Sequence, residues 1–225
     1  MTLVGFDTST AATSACVLRS GDGQAFEHVP SPARLGEPPG HSRELLPLVT
    51  ELMQQAGAGW ADVDGIAVGV GPGTFTGLRI GVATARALAT AAHLPVHPVS
   101  SLAALAAAAT PDESRVLALI DAKRGELFAA LFEDGEQVVE PFAVRPEELE
   151  HRAARELAGA VAVGDGSLRF REILEAAGVR VPPDGSELHV VRALHVCRLA
   201  AEVPAQQPEA VLPTYIRDPD AEPSK

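Results

Sequence analysis

The 225-residue sequence is poor in aromatic residues and in positive charge. Aromatic residues make up only 4% of the chain while hydrophobic residues make up 46%, so the core must be built mainly from alanine, valine and leucine. The 18 lysines and arginines are outnumbered by 30 acidic residues, which gives a formal charge of −12. Because nucleic-acid binding needs clustered basic side chains, this balance argues against direct binding of nucleic acid through the protein's own surface.

Cysteines and long apolar runs are also scarce. Cys16 and Cys197 lie in apolar segments, which favours two buried thiols over a disulfide framework. The opening MTLVGFDTST has neither the basic region nor the apolar length of a signal peptide. No stretch approaches the roughly 18 uninterrupted apolar residues of a membrane span. The sequence therefore predicts a cytoplasmic protein that does not contact a membrane.

Hydrophobic periodicity predicts one order of elements twice: three strands, a helix, a buried strand and another helix. In the first half these are strands 3–9, 14–20 and 24–29, helix 41–57, strand 65–71 and helix 76–92. In the second half they are strands 115–121, 126–132 and 137–144, helix 146–158, strand 160–164 and helix 167–178. A strand, a turn and an Ala-rich helix over 95–114 join the halves, and a last helix covers 187–203.

This repeat predicts an α/β fold with two similar lobes, each a mixed β-sheet covered by helices. The layout resembles the actin, sugar kinase and Hsp70 superfamily, a likeness of fold that does not by itself assign a function. We expect an N-terminal lobe over 1–100 and a C-terminal lobe over 101–203. The tail, 204–225, is expected to return to the first lobe before becoming disordered.

The segment GVGPGTFTGLR (69–79) is the first candidate for a phosphate-binding loop. It fits neither the Walker A spacing, since no lysine follows the second glycine, nor the G-x-G-x-x-G dinucleotide spacing. The favoured interpretation is a strand-to-helix turn with Thr74 or Thr76 as N-cap. Anion binding at the helix N-terminus stays open as the alternative.

Asp7 and Asp121 end the first strand of each half, where nucleotide-using members of the superfamily hold metal and phosphate. The turns after them read DTSTAAT and DAKRG, and the first has no glycine to let phosphate approach the backbone. An Asx-turn is therefore favoured over a catalytic carboxylate, with weak ATP or ADP binding left open. His93 and His97 have helical spacing, but Pro95 between them disfavours a metal pair.

The two N-terminal helices carry more apolar surface than one face needs. The second has a stripe of small residues, Gly77, Gly81, Ala85 and Ala89, of the kind that lets another helix approach closely. Adjacent apolar pairs on the first helix, such as Leu45 with Leu46, indicate a second apolar face. Spare apolar surface on both helices predicts a protein partner.

Several segments together resemble the TsaB (YeaZ) family: DTST, HSRELLP, GVGPGTFTGLRIGVATARALA, VSSLAALA and ALIDAKRGELFAALF. The resemblance implies a non-catalytic subunit for forming N6-threonylcarbamoyladenosine at position 37 of transfer RNAs that read codons beginning with A. It implies a TsaD-type catalytic paralogue and a TsaE-type ATPase as partners, self-association of the isolated chain, and contact with tRNA only indirectly. In the paralogue a His-x-x-x-His pair binds metal, whereas here Leu45 follows His41 at the second position.

The resemblance also implies roles for particular residues. No catalytic residue, metal ligand or obligatory cofactor is expected, because GDGS (164–167) also departs from the paralogue's nucleotide loop. The expected partner interface comprises His41, Leu45, Leu48, Leu52, Leu78, Val82, Ala85 and Arg86. A residual nucleotide site would comprise Asp7, Thr8, Ser9, Asp121, Gly164 and Gly166. The alternative function is a stand-alone ATP-using phosphotransferase or hydrolase with Asp7 and Asp121 in its cleft.

Overall fold

The computed structural model describes residues 1–21, 23–110, 112–149, 157 and 159–216. The first half of the chain forms a five-stranded sheet in the order β3-β2-β1-β4-β5. The hairpin strands β1 to β3 are antiparallel, while β4 and β5 run parallel to β1. The strands are β1 (Thr2–Asp7), β2 (Ser14–Arg19), β3 (Gln24–His28), β4 (Gly65–Gly71) and β5 (Val96–Ser100).

The second half repeats this arrangement in a four-stranded sheet with the order β8-β7-β6-β9. Again the first three strands are antiparallel neighbours and the last runs parallel to the first of them. The structure thus confirms the duplicated α/β fold that the sequence predicts. The strands are β6 (Arg115–Lys123), β7 (Glu126–Glu133), β8 (Glu136–Val144) and β9 (Val161–Val163).

Two helices cover the outer face of the first sheet, α1 (His41–Gln55) and α2 (Phe75–Ala92). The buried residues of α1 include Leu45, Val49 and Leu52, which recur at helical spacing and join the core formed with Val4 and Phe6 of β1. A short 3₁₀ helix over Pro32–Gly36 interrupts the Pro/Gly-rich loop before α1.

The largest core cluster contains residues of both sheets and of helices α3 (Ser101–Ala109) and α6 (Ala193–Leu199). Small alanines dominate α3, with Ala104 and Ala109 buried. Leucine and valine supply most of the larger side chains of the core, beside Phe6, Phe128 and Phe132.

The C-terminal elements differ from the sequence prediction. The helix predicted over 167–178 is two helices, α4 (Asp165–Arg169) and α5 (Arg171–Ala176), because Phe170 leaves helical geometry. The helix predicted over 187–203 is a 3₁₀ turn at Glu187–His189 followed by α6, with Arg192 extended before it. Of the helix predicted over 146–158, residues 146–149 are helical, and 150–156 and 158 lie outside the described residues.

After α6 the chain returns to the first sheet. Val96 and Gln206 form a bridge, the Thr214 N–H donates to the Val70 carbonyl at 2.7 Å, and Val211 is buried in the core under α1 and α2. The predicted disorder of the last residues falls outside the described residues from position 217 onward. In the ranges that the structure covers, none of the helices is long and apolar enough to cross a membrane.

Candidate functional site

The glycine-rich segment is a turn from β4 into α2, as the sequence predicts. β4 ends at Gly71, which precedes a cis Pro72, and α2 begins after Thr74 as its N-cap residue. The Thr74 side chain makes no capping hydrogen bond. Its backbone N–H instead donates to the Ser9 carbonyl at 2.7 Å, so the turn is tied to the loop between β1 and β2.

The small-residue stripe of α2 lets this same loop approach the helix. The Thr8 hydroxyl donates to the Gly77 carbonyl at 2.8 Å. A Cβ atom at Gly77 would collide with the Thr8 carbonyl oxygen, and one at Gly81 with the Thr8 hydroxyl. Ala85 and Ala89, which continue the stripe, are fully buried. The expectation that the stripe receives a partner's helix is therefore wrong, since the protein's own loop and core occupy it.

Asp7 forms the Asx-turn that the sequence favours. Its Oδ1 accepts from the Ser9 N–H at 2.7 Å and from the Ser9 hydroxyl at 2.6 Å, while its Oδ2 accepts from the Ser101 hydroxyl at 2.7 Å. Burial raises the pKa of Asp7 above its ordinary value, and these hydrogen bonds oppose the rise only in part. Each oxygen of this carboxylate thus has a partner inside the protein.

Asp121, at the matching point of the second lobe, is held by two cations. Its Oδ2 accepts from Lys123 Nζ at 2.9 Å and from Arg169 at 2.7 Å, and its Oδ1 accepts from the Lys123 N–H at 2.8 Å. Burial alone would raise the pKa of Asp121, but the hydrogen bonds from Lys123 and Arg169 outweigh it and hold that pKa below its ordinary value.

Asp165 lies directly behind Asp121 and accepts from the Asp121 N–H at 3.0 Å. Burial, reinforced by the charge of Asp121, raises the pKa of Asp165 to about 6. Gly164 and Gly166 are explained by packing, since a Cβ atom at either position would contact Leu119 of β6. The two glycines let α4 lie against β6.

Two neighbouring cavities are each lined by residues of both lobes. Leu35, Gly36 and Lys123 line both of them. The first, of about 720 Å³, is also lined by Asp121, Asp165 and Arg169. The second, of about 520 Å³, is also lined by Thr10, His41, Ser42, Ile80 and residues 74–77 of α2. The second is named here the α2 cavity. Asp7, which is fully buried, lines neither.

His41 is buried at the wall of the α2 cavity and is 3% exposed. Its Nδ1 lies 2.9 Å from the Thr13 hydroxyl, which in turn donates to Glu44 Oε2 at 3.1 Å. Burial lowers the pKa of His41, while the charges of Asp7 and Glu44 act in the opposite direction. Among the described residues, Nε2 of His41 has no hydrogen-bond partner.

Most side chains expected at the partner interface are core residues. Leu45, Leu52, Leu78, Val82 and Ala85 are each at most 4% exposed and pack on the first sheet or under the β4–α2 turn. These side chains and that of His41 are therefore not on the surface of the isolated chain, and their place in a partner interface stays a prediction. Leu48 and Arg86 are partly exposed and remain available to a partner.

The exposed apolar side chains of α1 and α2 are different ones. Leu46 is 50% exposed and Phe75 is 45% exposed, and Phe75 contacts Tyr215 and the guanidinium of Arg79. Sequence reasoning missed Leu46 and Phe75, although the Leu45–Leu46 pair showed that one of the two must face away from the core. The position of Tyr215 depends on how the tail returns and has no local sequence signal.

The known proteins to which this chain is similar have descriptions that agree with one another. The family model described as TsaD, tRNA N6-adenosine threonylcarbamoyltransferase, matches residues 38–161. A tRNA threonylcarbamoyladenosine biosynthesis protein TsaB from Escherichia coli is 32% identical, over 97% of this chain and 95% of that protein. The Bacillus subtilis protein of the same name is 28% identical, over 99% and 96% of the two chains.

Solved structures agree with the sequence relatives. YeaZ from Pseudomonas aeruginosa superposes with a TM-score of 0.77 at 30% identity, covering 95% of this chain and all of that one. The ethanolamine utilization protein EutJ from Carboxydothermus hydrogenoformans, at 15% identity, 86% and 88% coverage and a TM-score of 0.51, shares the fold alone. The identity and coverage of these relatives show that the chain belongs to the TsaB (YeaZ) family.

Proposed function

We propose that this protein is a non-catalytic subunit in the formation of threonylcarbamoyladenosine on tRNA, and that it binds and positions a TsaD-type transferase. The names of its relatives from E. coli and B. subtilis support the pathway. The observation that carries the non-catalytic role is the state of the Asp7 and Asp121 carboxylates, since both are committed to partners within the protein.

A carboxylate that serves phosphoryl transfer must offer oxygen lone pairs to a metal ion or a water molecule in the cleft. Asp7 is 1% exposed and its two oxygens accept three hydrogen bonds from Ser9 and Ser101. Lys123 and Arg169 hold Asp121 with positive charge at the place where a divalent cation would be needed. Neither carboxylate is therefore free to perform the chemistry of the alternative ATP-using enzyme.

The exposed face of α1 and α2 is the surface that best suits a protein partner. Ser42 of α1 and Ile80 of α2 line the same cavity, so the helices are neighbours there. One turn along α1 from Ser42 lies Leu46, and Phe75 begins α2. Half-exposed leucine and phenylalanine side chains on adjacent helices are typical of a contact surface between proteins. The formal charge of −12 fits indirect contact with tRNA through partners.

The test is reconstitution of threonylcarbamoyladenosine formation from this protein, the TsaD-type paralogue and the TsaE-type ATPase of the same cell. We expect formation to require this protein and to continue at near wild-type rate with Asp7→Asn and with Asp121→Asn. An enzyme that uses these carboxylates would lose 10²-fold or more in rate, on the order of a removed catalytic group. Loss of that size in either variant, with the protein folded and still bound to its partner, would contradict the non-catalytic role.

A further inference from the structure

We propose that the α2 cavity binds a tetrahedral oxyanion, inorganic phosphate or the phosphoryl group of a small phosphomonoester. The ligand is held by the backbone N–H groups at the start of α2 and by His41. This inference goes beyond the proposed function, because it concerns the isolated chain and requires no partner.

The first observation is the free N-terminus of α2, an 18-residue helix. The first intrahelical bond is donated by Leu78 to the Thr74 carbonyl, and the N–H groups of Phe75, Thr76 and Gly77 make no hydrogen bond within the described part of the chain. The side chain of Thr74, which could have capped them, does not. Unpaired N–H groups and the positive end of the helix dipole favour an anion at this point of the cavity wall.

The second and independent observation is the buried ring of His41. The Thr13 hydroxyl donates its one proton to Glu44, so it accepts the proton on Nδ1 of His41. This chain of hydrogen bonds fixes the ring of His41, which lines the cavity, and leaves the buried Nε2 as the ring nitrogen that has no partner among the described residues. A buried polar atom without a partner is costly, and an oxyanion oxygen would satisfy it by accepting from a protonated Nε2.

The charges around the cavity permit such a ligand. Lys123 lines the cavity from the second lobe, where its Nζ is paired with Asp121, and Glu37, also in the cavity wall, is paired with Arg34. The groups that act on the His41 ring from its neighbours are Asp7, Glu44, Arg34 and the Thr10 backbone. The cavity volume of about 520 Å³ exceeds that of a bare oxyanion, which leaves room for the organic part of a phosphomonoester.

The experiment follows the histidine ring protons of the full chain by NMR during titration with sodium sulfate, which keeps two negative charges across the pH range used. Inorganic phosphate then serves as the second probe. We expect saturable binding in the millimolar range, a shift of the His41 resonance toward the imidazolium form, and tighter binding as the pH falls through the titration range of His41. Replacement of the ring, His41→Asn, should weaken binding at least about fivefold, the effect of losing one charge-assisted hydrogen bond.

A second variant keeps the test decisive if His41→Asn does not fold. Thr76→Glu places a carboxylate in the first turn of α2, where it suits the helix dipole but repels an anion. We expect it to weaken binding at least about fivefold, whereas Thr90→Glu, with the same charge change at the far end of α2, should stay within about twofold. Binding that does not saturate, or that is unchanged in Thr76→Glu, shows an adventitious ion only and overturns the proposal.

Discussion

The Ser101 hydroxyl donates a 2.7 Å hydrogen bond to Oδ2 of Asp7 and thereby joins the first residue of α3 to the last residue of β1. The two residues are 94 positions apart, and both are buried. This bond connects the helix between the sheets to the loop that packs on α2. It also uses a carboxylate oxygen that a catalytic site would need to keep free.

Removal of this bond should destabilise the protein measurably. Ser101→Ala leaves a buried carboxylate oxygen with no donor, and we expect it to lower the free energy of unfolding by about 1–3 kcal/mol. In an Asp7→Asn background the same substitution should cost clearly less, because no charge is left uncompensated. Urea unfolding of the four proteins of this cycle measures the coupling; equal costs in both backgrounds would contradict the role assigned to Ser101.

Asp165 should make stability depend on pH in a particular direction. Its pKa is about 6 in the folded protein against 3.8 for the unperturbed group, so the native state binds more protons between these values. The contribution of Asp165 to the free energy of unfolding is therefore fully present below about pH 4 and is lost as the pH rises through about 6.

Asp165→Asn keeps an oxygen that can accept from the Asp121 N–H but removes the titration. We expect the free energy of unfolding of this variant, relative to that of the wild type, to rise by about 2–3 kcal/mol between pH 4 and pH 7. Unfolding curves of both proteins at each pH give the difference directly. A difference that does not change with pH would show that Asp165 titrates normally.

Gly77→Ala should destabilise the protein although alanine is the better helix former. A Cβ atom at this position meets the Thr8 carbonyl, which is backbone and cannot turn aside. We expect the free energy of unfolding to fall by about 2 kcal/mol or more. Inside a helix, a change from glycine to alanine normally raises it by up to about 1 kcal/mol. Gly36→Ala, where no atom lies within contact distance of the added Cβ, is the matched control in thermal unfolding.

The ion pair between Glu27 and Arg192 should stabilise the fold far more than the exposed ion pairs do. Arg192 contacts Glu27 Oε2 at 2.6 Å, Glu27 is 8% exposed, and its Oε1 accepts from the Leu194 N–H at the start of α6. Arg192→Met leaves the Glu27 charge buried and unpaired, which we expect to cost about 3 kcal/mol.

The control for this substitution is Asp184→Ala. Asp184 contacts Arg171 at 2.6 Å but is 83% exposed, so its loss should change stability by less than about 1 kcal/mol. Chemical denaturation measures the loss of stability in both variants. Similar losses for Arg192→Met and Asp184→Ala would contradict the stabilising role of the buried Glu27–Arg192 ion pair.

The sequence predicts the elements of the first lobe well because each has a strong local signal. Alternation, the turn GDG and the apolar spacing of 41–57 place β1 to β3 and α1 within about two residues of their observed bounds. The Asx-turn at Asp7 follows from the aspartate and the two polar residues after it. Such features depend on neighbours in sequence, which a pattern can show.

Features that depend on distant packing could not be predicted. Apolar pairs such as Leu45 and Leu46 show that a helix has two apolar faces, but not which face lies on the sheet. The small stripe of α2 was assigned to a partner helix because the approaching loop, residues 8–10, is some 70 positions earlier. The break at Phe170 has no sequence signal of its own.

The most direct test of the proposed role is a calorimetric titration of this protein into the TsaD-type paralogue of the same cell, with Leu46→Glu and Val138→Glu as variants. Leu46 on α1 is 50% exposed and Val138 on β8 is 49% exposed, so each substitution places a charge at a half-exposed position. We predict stoichiometric binding with a negative heat-capacity change, weakened at least about 100-fold by Leu46→Glu and unchanged by Val138→Glu. Wild-type binding by Leu46→Glu would contradict the assigned surface, and absence of binding by the wild-type protein would contradict the role itself.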